Sequence, residues 1–107
     1  MNALVDTDLR KASASLFGNE KLVEVVLAFG RANGAATAQQ ISTATTVVHP
    51  LVGPVLRRLV DAGALRPLPR ATSRGTQYYE VDDAALWDAV LHVCVVLAAR
   101  SSHGGTR

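Results

Sequence analysis

The feature that most limits what this chain can become is the stretch 84–100, a helix-length run in which only Asp88 and His92 interrupt an apolar surface before Arg100. Asp82 or Asp83 can cap it, and a cation at Arg100 suits the negative end of its dipole. At helical spacing it carries two apolar stripes, one of Leu86, Val90, Val93 and Leu97 and one of Trp87, Leu91, Cys94 and Ala98. A chain of 107 residues builds one core, and one core covers one stripe. The second stripe needs another partner, and the commonest is a two-fold mate. With 49% of its residues apolar and 19% charged, the chain is no candidate for disorder. The expectation is a single domain over residues 1–107, ordered over about 9–100, with a polar, glycine-rich tail at 101–107 that is flexible.

Several classes of protein drop out early. A lone cysteine, Cys94, forms no internal disulfide, and no Cys/His spacing fits zinc. His92 and Cys94 are two residues apart on a helix and so point to different faces, which leaves Cys94 as an apolar filler. The first residues include Asp6 and Asp8 and lack the basic start and apolar run of a signal peptide. The apolar run 93–99 falls far short of the roughly 20 residues of a membrane span. No nucleophile-and-base constellation, carboxylate pair or phosphate-cradling glycine loop can be named. A cytoplasmic location is expected, with no membrane association, no metal, no cofactor and no catalysis; no small-molecule effector can be named.

The net charge of +2 says little, but its distribution says more. Between Glu24 and Glu80 the sole acid is Asp61, against arginines at 31, 57, 58, 66, 70 and 74, a local balance of +5. A face of that sign suits an anion such as a phosphate backbone.

Asp6 or Thr7 can cap a first helix with Leu9, Ala12 and Leu16 on one side, ended by Gly18. Asn19 can cap a second helix with Leu22, Val25, Val26 and Phe29 on one face, closed by Asn33 and Gly34. Thr37 and Gln40 have the spacing of a capping box, opening a helix too short to survive without tertiary contacts. After a turn at residues 45–48, Pro50 suits the first turn of a further helix with Val52, Leu56, Leu59 and Val60 on its apolar face, stopped by Gly63. Pro54 challenges that helix: it distorts there, or it restarts with Gly53 as cap. Residues 64–68 can form a strand, but Pro67 and Pro69 confine it to an edge, and residues 76–81 return as its partner.

Helix, short helix, turn, helix and arginine-tipped hairpin in that order resemble the winged helix-turn-helix of small bacterial transcription regulators, above all the ArsR-like and MarR-like families. The resemblance rests on residues 37–66, where Leu56, Leu59, Gly63 and Leu65 fall on the leucine-and-glycine pattern that precedes the wing, and on residues 16–22, which resemble the entry into the first core helix. It implies a mainly α fold (α+β), a winged helix-turn-helix with a two-stranded wing and flanking N- and C-terminal dimerisation helices. It further implies a homodimer on double-stranded DNA, contacting it through helix 49–62 and the arginine-rich wing 66–79. Carried across, DNA contacts fall to Thr45, Thr46, His49, Arg57, Arg58, Arg70 and Arg74, and the dimer interface to Leu9, Leu16, Trp87, Leu91, Cys94 and Ala98. Arg57 and Arg58 point about 100° apart, so one of them faces DNA.

The chain departs from the families' pattern at Pro50, Leu51, Gly53 and Pro54, none of which has a side chain able to hydrogen-bond a base edge. That departure keeps two alternatives open. One is a winged-helix module that binds protein through this apolar segment; the other is a plasmid-partition or architectural DNA-binding protein.

Overall fold

A computed structural model of the chain describes residues 2–70 and 75–104, with the side chains of 7–70 and 75–100. The elements run α1 (Asn2–Phe17), α2 (Leu22–Gly30), β1 (Ala35–Thr37), α3 (Ala38–Ala44), α4 (His49–Ala62), β2 (Leu65–Pro67), β3 (Tyr78–Val81) and α5 (Ala84–Gly104). Helix α2 is the hub. Leu22, Val23, Val25, Val26, Ala28 and Phe29 are all buried, because α1, α3, α4 and α5 each pack against it. A helix that is apolar nearly all round has to be enclosed.

The stop and start signals act as their chemistry dictates, with shifts at some boundaries. Gly18 ends α1 at φ +71°, and its N–H closes on the Ala14 carbonyl at 2.8 Å. Asn19 does not cap α2 directly. Its side chain accepts the Lys21 N–H at 2.8 Å, a local turn that delays the helix to Leu22. Asn33 and Gly34, at φ 58° and 94°, turn the chain into β1, a strand the sequence did not announce. Thr37 ends that strand and caps α3, accepting the Gln40 N–H at 3.1 Å while Gln40 Oε1 accepts the Thr37 N–H at 2.9 Å. Gly63, at φ 92°, closes α4 with paired bonds from Gly63 N–H to Val60 O and Ala64 N–H to Leu59 O.

The three strands form an antiparallel sheet in the order β1-β3-β2, with Ala36 opposite Tyr79 and Pro67 opposite Tyr79 on its other side. The prolines place β2 at the edge: Leu68 between them donates its N–H to the Tyr78 carbonyl at 2.8 Å, so the proline nitrogens fall on the open side, and Gln77 adds a side-chain bridge. Its Nε2 donates to the Leu68 carbonyl at 2.7 Å and to the Tyr78 carbonyl at 2.8 Å. Tyr79 packs against the core and Tyr78 is exposed, the alternation of a strand.

Asp83, rather than Asp82, caps α5, accepting the Leu86 N–H at 2.9 Å. The helix continues past Arg100 to Gly104, since no breaker precedes that glycine. Of its two stripes, the one with Trp87 and Cys94 enters the core, with Leu91 and Ala98 half-buried alongside. Trp87 meets Phe29 edge to face at 5.3 Å. The helices approach so closely that a Cβ on Gly30 would lie 3.0 Å from the Leu91 side chain. Desolvation of Cys94 pushes its thiol up to about 12, so it stays protonated at neutral pH. Outside, Val93, Val95 and Val96 are exposed, as is Leu16 on α1 at 57%.

Trp87→Ala removes the aromatic contact that joins α5 to α2 and is expected to lower the unfolding free energy by about 3–5 kcal/mol. Chemical denaturation monitored by circular dichroism measures it, and a loss below 1 kcal/mol would show that α5 is held by other contacts.

Candidate nucleic-acid interface

Helix α3, the turn at residues 45–48 and helix α4 form a helix-turn-helix whose turn is wired internally. Thr45 Oγ1 donates to the Ile41 carbonyl at 2.9 Å and accepts the Val47 N–H at 3.1 Å, while Ser42 Oγ donates to the Val47 carbonyl at 2.9 Å. Val47 is buried and anchors the turn. Thr45 is therefore half-buried with its hydroxyl engaged, whereas Thr46 is exposed. Thr46 Oγ1 accepts from Arg10 at 2.9 Å and lies 3.5 Å from Glu24, and Arg10 Nε pairs with Glu24 at 2.7 Å. This cluster ties α1, α2 and the turn together.

Helix α4 is continuous through Pro54 from His49 to Ala62, so the restart at Gly53 does not occur. The proline removes the donor for the carbonyl of Pro50, but both prolines are exposed, where water reaches the orphaned group. Val52, Val55, Leu56 and Leu59 form the buried face. At i, i+4, i+7 and i+11, Pro50, Pro54, Arg57 and Asp61 form the opposite face, and all four are exposed. An interior proline costs a helix about 3 kcal/mol and an interior glycine about 1 kcal/mol. Packing does not explain Gly53: a Cβ there would meet nothing within 4 Å. Leu51 and Val48, at 45% and 58% exposure, extend the apolar character of this end of the helix.

The arginines divide into occupied and available. Arg58 Nη2 donates to the Phe17 carbonyl at 2.8 Å, satisfying the C-terminal end of α1. Arg66 pairs with Glu80 across β2 and β3 and lies 4.0 Å from Asp82. Arg57 and Arg70 are exposed and make no side-chain bond to a described residue, and His49 is exposed at the start of α4. Arg57 borders a shallow cleft of about 310 Å³ between α4 and the sheet, shared with Val60, Asp61, Pro67, Gln77 and Tyr79. Arg74, at the expected wing tip, lies outside the described residues.

His49, Arg57 and Arg70 thus present side chains outward, Thr46 is exposed with its hydroxyl engaged by Arg10, Arg58 is turned back to α1, and Thr45 serves the turn. Of the residues expected at a dimer interface, Leu9, Trp87 and Cys94 lie inside this chain's own core, Leu91 and Ala98 are half-buried, and Leu16 is exposed. Sequence reasoning missed the Arg10–Glu24–Thr46 cluster and the Gln77 bridge. Both join residues distant in sequence or lie beyond any capping pattern, so no local spacing signals them. Among the described residues no group of three or more His, Cys, Asp or Glu can hold a metal ion, and no helix is long and apolar enough to cross a membrane.

The sequence matches no protein-family model and no curated protein. The fold matches that of MarR from E. coli. A cysteine-to-serine mutant superposes with a TM-score of 0.70 and the wild-type apo form with 0.69, each at 19% identity over 95% of this chain and 73% of MarR. The same mutant complexed with operator DNA superposes with a TM-score of 0.65, at 19% identity over 95% of this chain and 71% of that one. In that frame α3, the turn and α4 are the helix-turn-helix, and β2 and β3 form the wing.

Because Pro54 is exposed on the face of α4 opposite its buried residues, Pro54→Ala is expected to raise the unfolding free energy by about 1–3 kcal/mol. Urea titration of the two proteins side by side reads the difference. A less stable variant would mean that the ring makes an internal contact of its own.

Proposed function

We propose that this chain, which has the winged-helix fold of MarR, is a DNA-binding transcriptional regulator that works as a homodimer in the cytoplasm. The observation that carries the proposal is the exposed Arg57 on the outward face of α4, beside the wing and without an ion-pair partner among the described residues. The MarR structure complexed with operator DNA supports it, since it has the same fold. Helix α4 enters a major groove with His49 and Arg57 toward base edges, and Thr46 meets a phosphate. The wing follows the backbone or the adjacent minor groove through Arg70 and Arg74. Arg58, engaged by the Phe17 carbonyl, positions α4 against α1 instead of touching DNA.

A second copy covers the outer face of α5, where Ala89, Val93 and Val96 recur at i, i+4 and i+7, together with Leu16. Two recognition helices on a two-fold axis then read half-sites about one helical turn apart, roughly 34 Å. Trp87 and Cys94 support the interface from within, by fixing the angle at which α5 leaves the core. The apolar surface at Val48, Leu51, Pro50 and Pro54 also suits a protein partner, and the DNA assay separates the two.

A mobility-shift series in rising salt on random-sequence duplex tests DNA binding. Arg70→Ala is expected to weaken binding and to flatten the salt slope by about one unit, the effect of one lost phosphate contact, Arg57→Ala to weaken binding through its lost base contact with a smaller change of slope, and Arg58→Ala to leave the slope unchanged. Absence of any shift at low salt would favour the protein-binding module. Val93→Glu combined with Val96→Glu is expected to give monomers in sedimentation and to abolish tight binding to paired half-sites; a dimer that survives both changes would place the interface elsewhere.

A further inference from the structure

The outward face of α4 is built of the wrong atoms for hydrogen-bonded base reading. Its first two turns present Pro50 and Pro54, Gly53 lies between them without a side chain, and Leu51 stands exposed at the edge. Hydrogen-bonding side chains stand only at the two ends of this patch, His49 before it and Arg57 one turn beyond it. The fold has no use for this arrangement: both rings are exposed, and open space surrounds the place where a Gly53 Cβ would sit. Exposed Arg57 lies one turn beyond the patch with Asp61 a further turn on, Arg10 and Lys21 share a cleft with Val48 and Leu51, and between Glu24 and Asp61 the chain has no acid, so the patch itself sits in a stretch of positive charge that suits a polyanion. An apolar patch framed in this way, on the second helix of a helix-turn-helix, fits a nucleic-acid groove.

Within a major groove the edges of guanine, cytosine and adenine offer donors and acceptors, and the apolar group is the 5-methyl of thymine. A pyrrolidine ring pressed on a donor or acceptor leaves it without a partner, whereas on a methyl group it buries apolar surface on both sides. Gly53 lets the helix backbone come closer to the base edges than any residue with a side chain would. Resting on the DNA-binding reading above, we infer that Pro50 and Pro54 read thymine methyl groups. The preferred half-site then carries thymines opposite the first two turns of α4 and a guanine opposite Arg57, the base an arginine grips with two hydrogen bonds.

The test uses the full chain. Duplexes enriched from a random pool define the half-site, and each thymine in it is replaced singly by deoxyuracil, which deletes the methyl group and leaves the pairing edge intact. The wild-type chain is expected to lose roughly fourfold in affinity at one or more thymines per half-site, the effect of one buried methyl. In the double variant Pro50→Ser with Pro54→Ser the thymine-to-deoxyuracil ratio at those positions is expected to fall to about one. Both substitutions restore a backbone N–H to α4, and circular dichroism checks that the helix persists. Enriched sites that tolerate deoxyuracil everywhere, or a methyl effect equal in wild type and variant, overturn the inference while leaving DNA binding in place. Failure to bind any duplex overturns the DNA-binding reading and this inference with it.

Discussion

Everything in this chain is arranged around the need to enclose α2. Six of its nine residues are buried apolar side chains that face in all directions, so no single neighbour suffices. Each large apolar side chain withdrawn from water contributes about 1.5–3 kcal/mol, and four helices share the task. The short helix α3 survives because it packs on this hub with its capping box formed at its start. Helix α5 depends on the same hub through the edge-to-face contact of Trp87 with Phe29.

Polar contacts then fix the angles that packing leaves free. Ser13 is fully buried and joins α1 to the start of α2, donating to the Asn19 carbonyl at 2.6 Å and accepting the Val23 N–H at 3.2 Å. Arg10, Glu24 and Thr46 connect α1 to the turn that precedes α4, and Arg58 connects α4 back to the end of α1. Helix α4 is thus held at both ends to the same long helix. Within this setting α4 itself carries Gly53 and Pro54, residues that weaken a helix interior, next to Pro50 in its first turn, all away from its buried face.

Much of the architecture was legible locally because its signals are local. Gly18 and Gly63 sit where a left-handed residue must end a helix, Thr37 and Gln40 form the box their spacing implies, and Pro67 and Pro69 keep β2 at an edge. Strand β1 was not legible. Three residues of which two are alanines carry no strand signal, and they pair only because β3 passes beside them. The same holds for the charges. The sequence shows a basic middle stretch, but which arginines are available was decided by carbonyls and carboxylates brought from elsewhere, Phe17 for Arg58 and Glu80 for Arg66.

The order of elements, their caps and stops, and the presence of two apolar stripes on α5 follow from the sequence alone, since each depends on residues a few positions apart. Which stripe turned inward did not. The resemblance assigns Trp87, Leu91, Cys94 and Ala98 to a dimer interface, yet the ring of Trp87 fits Phe29 and the approach at Gly30 admits Leu91, so that stripe entered the core, Leu86, Val90 and Leu97 of the other packed half-buried at its margin, and Val93, Val95 and Val96 were left exposed. The continuity of α4 through Pro54 was decided in the same way. The burial of Val52, Val55, Leu56 and Leu59 against the hub outweighs one lost hydrogen bond on the wet side of the helix. Local chemistry sets where elements begin and end; the side each one buries is set by which neighbours can close around it.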